Sequence, residues 1–170
     1  MKTILALALA LSALPVLSHA EKPASLADLL PAKLEDAKGK KVDTSTLAGK
    51  HVALYFSAHW CPPCRAFTPS LVKFRNEHVD QDFEIVFVSL DNSEREKKSY
   101  IRETEMKWLS VSGARSKEGQ ALAERFQIRG IPALVVLAPD GSVVTPNGRN
   151  DVMQSPETAL RKWKENTPSP

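Results

Sequence analysis

The chain has only two cysteines, Cys61 and Cys64, and the two residues between them are Pro62 and Pro63. Proline has no N–H and a fixed φ, so a helix tolerates it in the first turn and resists it later. Consecutive prolines therefore predict a helix that opens at Cys61, with the two sulfurs one turn apart. No third thiol competes for either partner, and the pair reads as a redox couple. A zinc site needs about four ligands. Of the histidines only His51, His59 and His78 remain outside the first twenty residues, none at a finger-like spacing. A purely structural disulfide is a further alternative, and over so short a loop it would add little stability.

Thiol–disulfide exchange needs a thiolate, and a free thiol with a pKa near ~8.5 is mostly protonated at neutral pH. At a helix start, unpaired backbone N–H groups and the helix dipole favour the anion. This makes Cys61 the nucleophile and Cys64, one turn in, the resolving thiol. Pro62 and Pro63 stiffen the loop and remove amides, which limits thiolate stabilisation and favours a reducing couple.

Residues 1–20 read as a secretory signal. Lys2 is followed by an apolar run from Ile4 to Leu17, then by Ser18-His19-Ala20. The run falls short of the ~20 residues that span a bilayer. Cleavage after Ala20 would leave roughly 150 residues, one domain's worth. The expected location is periplasmic, or exported in another sense. The net charge of +3 is spread among interleaved acids and bases, as in Ser93 to Glu105, so nucleic acid is not an expected partner.

Residues 21–46 form an N-terminal extension with room for one hairpin, followed by a domain over 47–166 and a disordered tail over 167–170. His51–Ser57, Phe83–Leu90 and Ala133–Ala138 are short apolar strands, and the helical stretches between them imply a sheet covered on both faces. Pro139-Asp140-Gly141 turns the third strand into a partner at Ser142–Thr145. The helix from Cys61 is expected to reach about Val79 and to kink at Pro69. Ser93 with Glu96 fits a capping box. Lys117–Phe126 repeats the helical period, and Ser155-Pro156-Glu157 caps a last helix through Trp163. The whole is an α/β fold of a single domain.

Three segments resemble the thioredoxin-fold family, and most of all its tryparedoxin and nucleoredoxin branch. They are Tyr55 to Arg65 with Phe67-Thr68-Pro69, Phe83 to Asp91 with Trp108-Leu109, and Arg129-Gly130-Ile131-Pro132. The resemblance covers roughly Leu47 to Arg149. It implies a central mixed sheet flanked by helices, with Cys61 opening the first core helix. It also implies a cis Ile131–Pro132 bond facing the cysteines, beside which substrate backbone pairs, and Trp60 as a cover over the nucleophile. Arg65 matches the family pattern and would raise the local positive potential.

Tyr55 departs from ordinary thioredoxins, which carry a buried acid six residues before the first cysteine. The Cys64 proton then needs another acceptor, for which Asp91 and His59 are candidates. The expected function is an exported thiol–disulfide oxidoreductase that reduces protein disulfides. It would need no cofactor or metal, would be monomeric, and would draw electrons from a membrane-embedded donor. A disulfide oxidase or isomerase, and a non-enzymatic peptide-binding module, are the alternatives. A peroxidase fits the motif less well.

Overall fold

The structure is a computed structural model, and it describes residues 25–167. The expected signal sequence lies outside the described residues. Within them run α1 (Leu26–Leu29), β1 (Lys33–Glu35), β2 (Lys41–Asp43), a 3₁₀ turn (Thr44–Leu47), β3 (His51–Ser57), α2 (Pro62–His78) and β4 (Phe83–Ser89). Then follow α3 (Glu94–Glu103), β5 (Leu109–Ser110), α4 (Lys117–Arg125), β6 (Ala133–Leu137), β7 (Val143–Thr145), α5 (Gly148–Gln154) and α6 (Pro156–Glu165).

The strands form one mixed sheet in the order β2-β1-β5-β4-β3-β6-β7. β3 pairs parallel with β4 and antiparallel with β6, and β4, between β5 and β3, is the middle strand. Successive side chains of a strand point to opposite faces. Ala53, Tyr55, Ile85, Phe87, Leu134 and Val136 accordingly face one core, with α2, α3, α5 and α6 packed on it. Val52, Leu54, Phe56, Val86, Val88 and Val135 face the other, closed by α1, the 3₁₀ turn and α4. Burial on both faces explains why these strands read as unbroken apolar runs. In the first core Phe74, Phe83 and Trp163 meet with centroids 5.4 to 5.8 Å apart, each such pair adding about 1 kcal/mol beyond burial.

The expected hairpin in the extension exists as β1 and β2, and it is part of the sheet, because Glu35 of β1 pairs with Ser110 of β5. Leu26, Leu30 and Leu34 supply apolar cover to the second core. Three local expectations need correction. Ser93 caps α3 by accepting from Glu96 N, but Glu96 reaches back to the N–H of Asn92 and not of Ser93, so the box is displaced by one residue. Ser155 precedes Pro156 at the start of α6 without a side-chain cap, because α5 runs directly into it and the Ser155 N–H bonds Asp151 O. Thr167, expected to open the tail, is tied down by His51 Nε2 at 2.7 Å and Trp163 O at 3.1 Å. The rest of that tail lies outside the described residues.

Candidate active site

β3 and β4 deliver the site at their carboxyl ends. The 58–60 turn that links β3 to α2 is fastened to the end of β4. His59 N–H donates to Asp91 Oδ1 at 2.7 Å, the Trp60 indole N–H donates to Leu90 O at 3.2 Å, and Leu90 N–H donates to Ser57 O. Asp91 Oδ2 accepts from the Ser89 hydroxyl at 2.8 Å, which completes the clamp.

Cys61 is the N-cap of α2, with extended backbone, and Pro62 and Pro63 follow in the first turn as the sequence predicts. The helix continues through Pro69, which lies on its exposed side. Cys64 N–H points at Cys61 Sγ over 3.3 Å. Since neither proline has an N–H, this is the first amide of the helix that can face the sulfur. Cys61 and Cys64 are joined as a disulfide, Cys64 fully buried and Cys61 5% exposed. They pack with Ala58, Leu90 and Ile131.

The Ile131–Pro132 bond is cis, as the resemblance implies, and the Ile131 carbonyl oxygen lies 3.8 Å from Cys61 Sγ. Pro132 is buried and Ile131 half-buried. Trp60 stands 49% exposed beside the nucleophile. Arg65 is exposed on the first turn, without an ion pair among the described residues.

The two candidate proton acceptors are already engaged. Both Asp91 oxygens are used by the clamp, and burial, working against those hydrogen bonds, pushes its carboxyl above the usual range. His59 Nε2 meets Glu103 Oε2 at 3.0 Å and its ring lies against Tyr100. Neither hydrogen-bonds to Cys64 among the described residues.

Beneath Cys64 lies a group that sequence reasoning did not assemble. Thr68 Oγ1 donates to Cys64 O at 2.8 Å. The Tyr55 hydroxyl meets Thr68 Oγ1 and Ser57 Oγ, each at 2.9 Å, and Ser57 Oγ meets the Tyr100 hydroxyl at 3.0 Å. All four residues are buried. Burial raises the Tyr55 phenol so far that it stays neutral at any working pH. A faint signal was available: Thr68 stands four residues after Cys64, and Tyr100 is the lone aromatic in a charged helix. Among the described residues no group of three or more His, Cys, Asp or Glu is placed to hold a metal ion.

Comparison with known proteins agrees with this geometry. Residues 49–143 match the Thioredoxin-like family. Mouse nucleoredoxin is 39% identical over 143 residues, which cover 83% of this chain but only 32% of that protein. The tryparedoxin of Trypanosoma brucei brucei is 36% identical over 75% of this chain and 88% of its own length. The solved structure of tryparedoxin II complexed with glutathionylspermidine superposes with a TM-score of 0.70 at 35% identity, over 75% of this chain and 89% of that one. With its WCPPC disulfide at a helix start facing a cis-proline, the chain belongs to the thioredoxin-like family, in the tryparedoxin and nucleoredoxin branch.

Proposed function

We propose that the protein is an exported dithiol reductant of protein disulfides. The observation that carries the direction is the single helix-start amide, Cys64 N–H, aimed at Cys61 Sγ. With Pro62 and Pro63 silent, the thiolate is stabilised enough to attack but not enough to make the reduced form a sink.

In the reaction the Cys61 thiolate attacks one sulfur of a substrate disulfide and expels the other as a thiolate, which takes up a proton. Cys64 then loses its proton and attacks Cys61 Sγ in the mixed disulfide. The second substrate thiol leaves, and the Cys61–Cys64 disulfide forms. Two electrons pass to the substrate. Asp91 is one candidate acceptor for the Cys64 proton, since burial raises its carboxyl above the usual carboxylate range and makes it a better base than an ordinary surface acid. His59 is committed to Glu103. The substrate backbone is taken to pair beside Ile131 and Pro132 under Trp60.

Export rests on the sequence of residues 1–20 alone, and an exported reductant needs electrons from a membrane-embedded donor, since such compartments are held oxidising. The relative crystallised with glutathionylspermidine makes a low-mass thiol a second substrate class to test.

The test is the equilibrium potential of the Cys61–Cys64 couple together with turnover of a protein disulfide. A potential towards ~−270 mV supports the reductant, and one towards ~−120 mV makes the protein a disulfide donor. Cys61→Ser should abolish turnover, and Cys64→Ser should accumulate a mixed disulfide visible by mass. Peptide binding and phenotype that are unchanged in Cys61→Ser would instead support a non-enzymatic peptide-binding module.

A further inference from the structure

A groove of about 390 Å³ lies beside Trp60 and runs along residues 128–131, which lead into the cis-proline. Trp60, Leu90, Ile128 and Ile131 form its apolar part, and Arg115 and Arg129 are its charged residues; no acid lines it. Both arginines are exposed, and neither pairs with a carboxylate among the described residues.

Arg115 is fixed where it bears on the chemistry. Its guanidinium donates to Leu90 O at 3.2 Å, the same carbonyl that accepts the Trp60 indole N–H. The cation is thereby held beside the side chain that flanks Cys61. Its backbone is left-handed, at φ +47°, a conformation that long side chains adopt reluctantly. Gln120 holds the Arg115 carbonyl, and Arg115 N–H bonds Ser89 O. Nearby acids do not answer the charge. Glu94 accepts from Ala114 N–H, Glu96 from Asn92 N–H, and Glu118 lines a different groove with Leu29 and Leu122.

Two unanswered cations on an apolar floor, whose Leu90 and Ile131 also pack against Cys61, favour one kind of visitor. We infer that this groove selects extended protein segments carrying Asp or Glu next to the cysteine to be reduced. The inference rests on the reading that Cys61 attacks protein disulfides, and it adds a substrate class to that reading. Steering by opposite charge raises association rates about tenfold or more at low salt and is screened away as salt rises.

The experiment measures kcat/KM for two disulfide-bonded peptides of equal length, one with Asp and Glu flanking the cysteine and one with Lys. The expected result is at least a tenfold preference for the acidic peptide at low salt, lost in 0.5 M NaCl. The variant R115K/R129K, which keeps the charges, should retain the preference, and R115E/R129E should invert it. The inversion is a readout that a merely structural role of either arginine would not produce. Equal rates for the two peptides, or a preference that survives charge reversal, overturns the inference. Glutathione disulfide gaining the same advantage as the acidic peptide also overturns it, since the groove would then read free carboxylates and not a protein segment. Reduction of neutral hydroxyethyl disulfide without turnover of either peptide would instead sink the underlying reading of protein disulfides as substrate.

Discussion

Among the described residues, a cluster of buried hydroxyls and a cluster built on a buried lysine differ in kind. Under Cys64 the cluster is made of hydroxyls, from Tyr55, Ser57, Thr68 and Tyr100, and bears no charge. Between α3 and the β1–β5 edge the cluster is ionic. Lys97, only 2% exposed, places its ammonium 3.1 Å from Glu35 Oε2 and 2.7 Å from Val111 O. Lys41 pairs with the other oxygen of Glu35. Hydroxyls can donate or accept as needed and cost less to bury than ions. Ions demand fixed partners and hold the register between elements. Neutral support sits where the redox chemistry happens, and charged support sits where the N-terminal hairpin must be locked to the sheet. Asp91 lies between the two styles. It is an acid beside the site, spent on backbone and hydroxyl donors.

Breaking the ionic cluster should have the largest effect. Lys97→Ala removes a buried partner and leaves Val111 O without a donor, though Glu35 keeps Lys41. A loss of about 3 kcal/mol is expected by denaturant unfolding, at the low end for a broken buried pair. A loss below about 1 kcal/mol would mean the hairpin is held by its leucines alone.

Tyr55→Phe deletes one hydroxyl and leaves Thr68 on Cys64 O. It should cost about 1 kcal/mol, with a loss that does not change between pH 5 and 8, because burial holds the deleted phenol neutral throughout that range. A loss that varied with pH would show a charge in the cluster.

The smallest effect is the pH dependence of the ionic cluster. Burial alone would raise the Glu35 carboxyl, but hydrogen bonds and charge from Lys41 and Lys97 outweigh it and hold the pKa below the usual range. A carboxyl with a lowered folded pKa contributes stability that is complete above its unfolded pKa and is lost as the pH falls through the folded one. Acid should therefore loosen the hairpin, seen as lower amide protection factors, corrected for the intrinsic pH dependence of exchange, at Leu34 and Glu35 below about pH 4 than at pH 7. In Glu35→Gln that acid step should disappear.

Much of the fold was legible because its signals are local. The Pro62–Pro63 pair located the start of α2, and His51–Ser57 matched β3 residue for residue. β5 was missed because its two residues are strand only by pairing with β4 and β1, and no periodicity fits in so short a span. No helix was expected over α5, whose seven residues are too few to show a helical period and open on Asn147 and Gly148, residue types common in turns. Gly148 is needed there for proximity, since a Cβ would come within 2.8 Å of Val136 Cγ2 and 3.0 Å of Leu134 O. Cys61 and Cys64 were readable from spacing, and Pro132 from the resemblance. The hydroxyl cluster was not, because Tyr55, Thr68 and Tyr100 come from three elements and meet only in the folded chain. The same holds for Arg115 and Arg129, which look like ordinary surface charges in the sequence.

The sheet's rims are short: β2 and β7 have three residues each, β2 carries a Lys33–Asp43 ion pair across its hairpin, and β7 has a register shift against β6. Short, charged or irregular rims give a foreign strand little to dock on. On the proposed function the substrate is an extended segment of another chain. Rims of this kind offer such a segment few free backbone partners, which favours pairing at the Ile131–Pro132 turn over pairing at the sheet's edges.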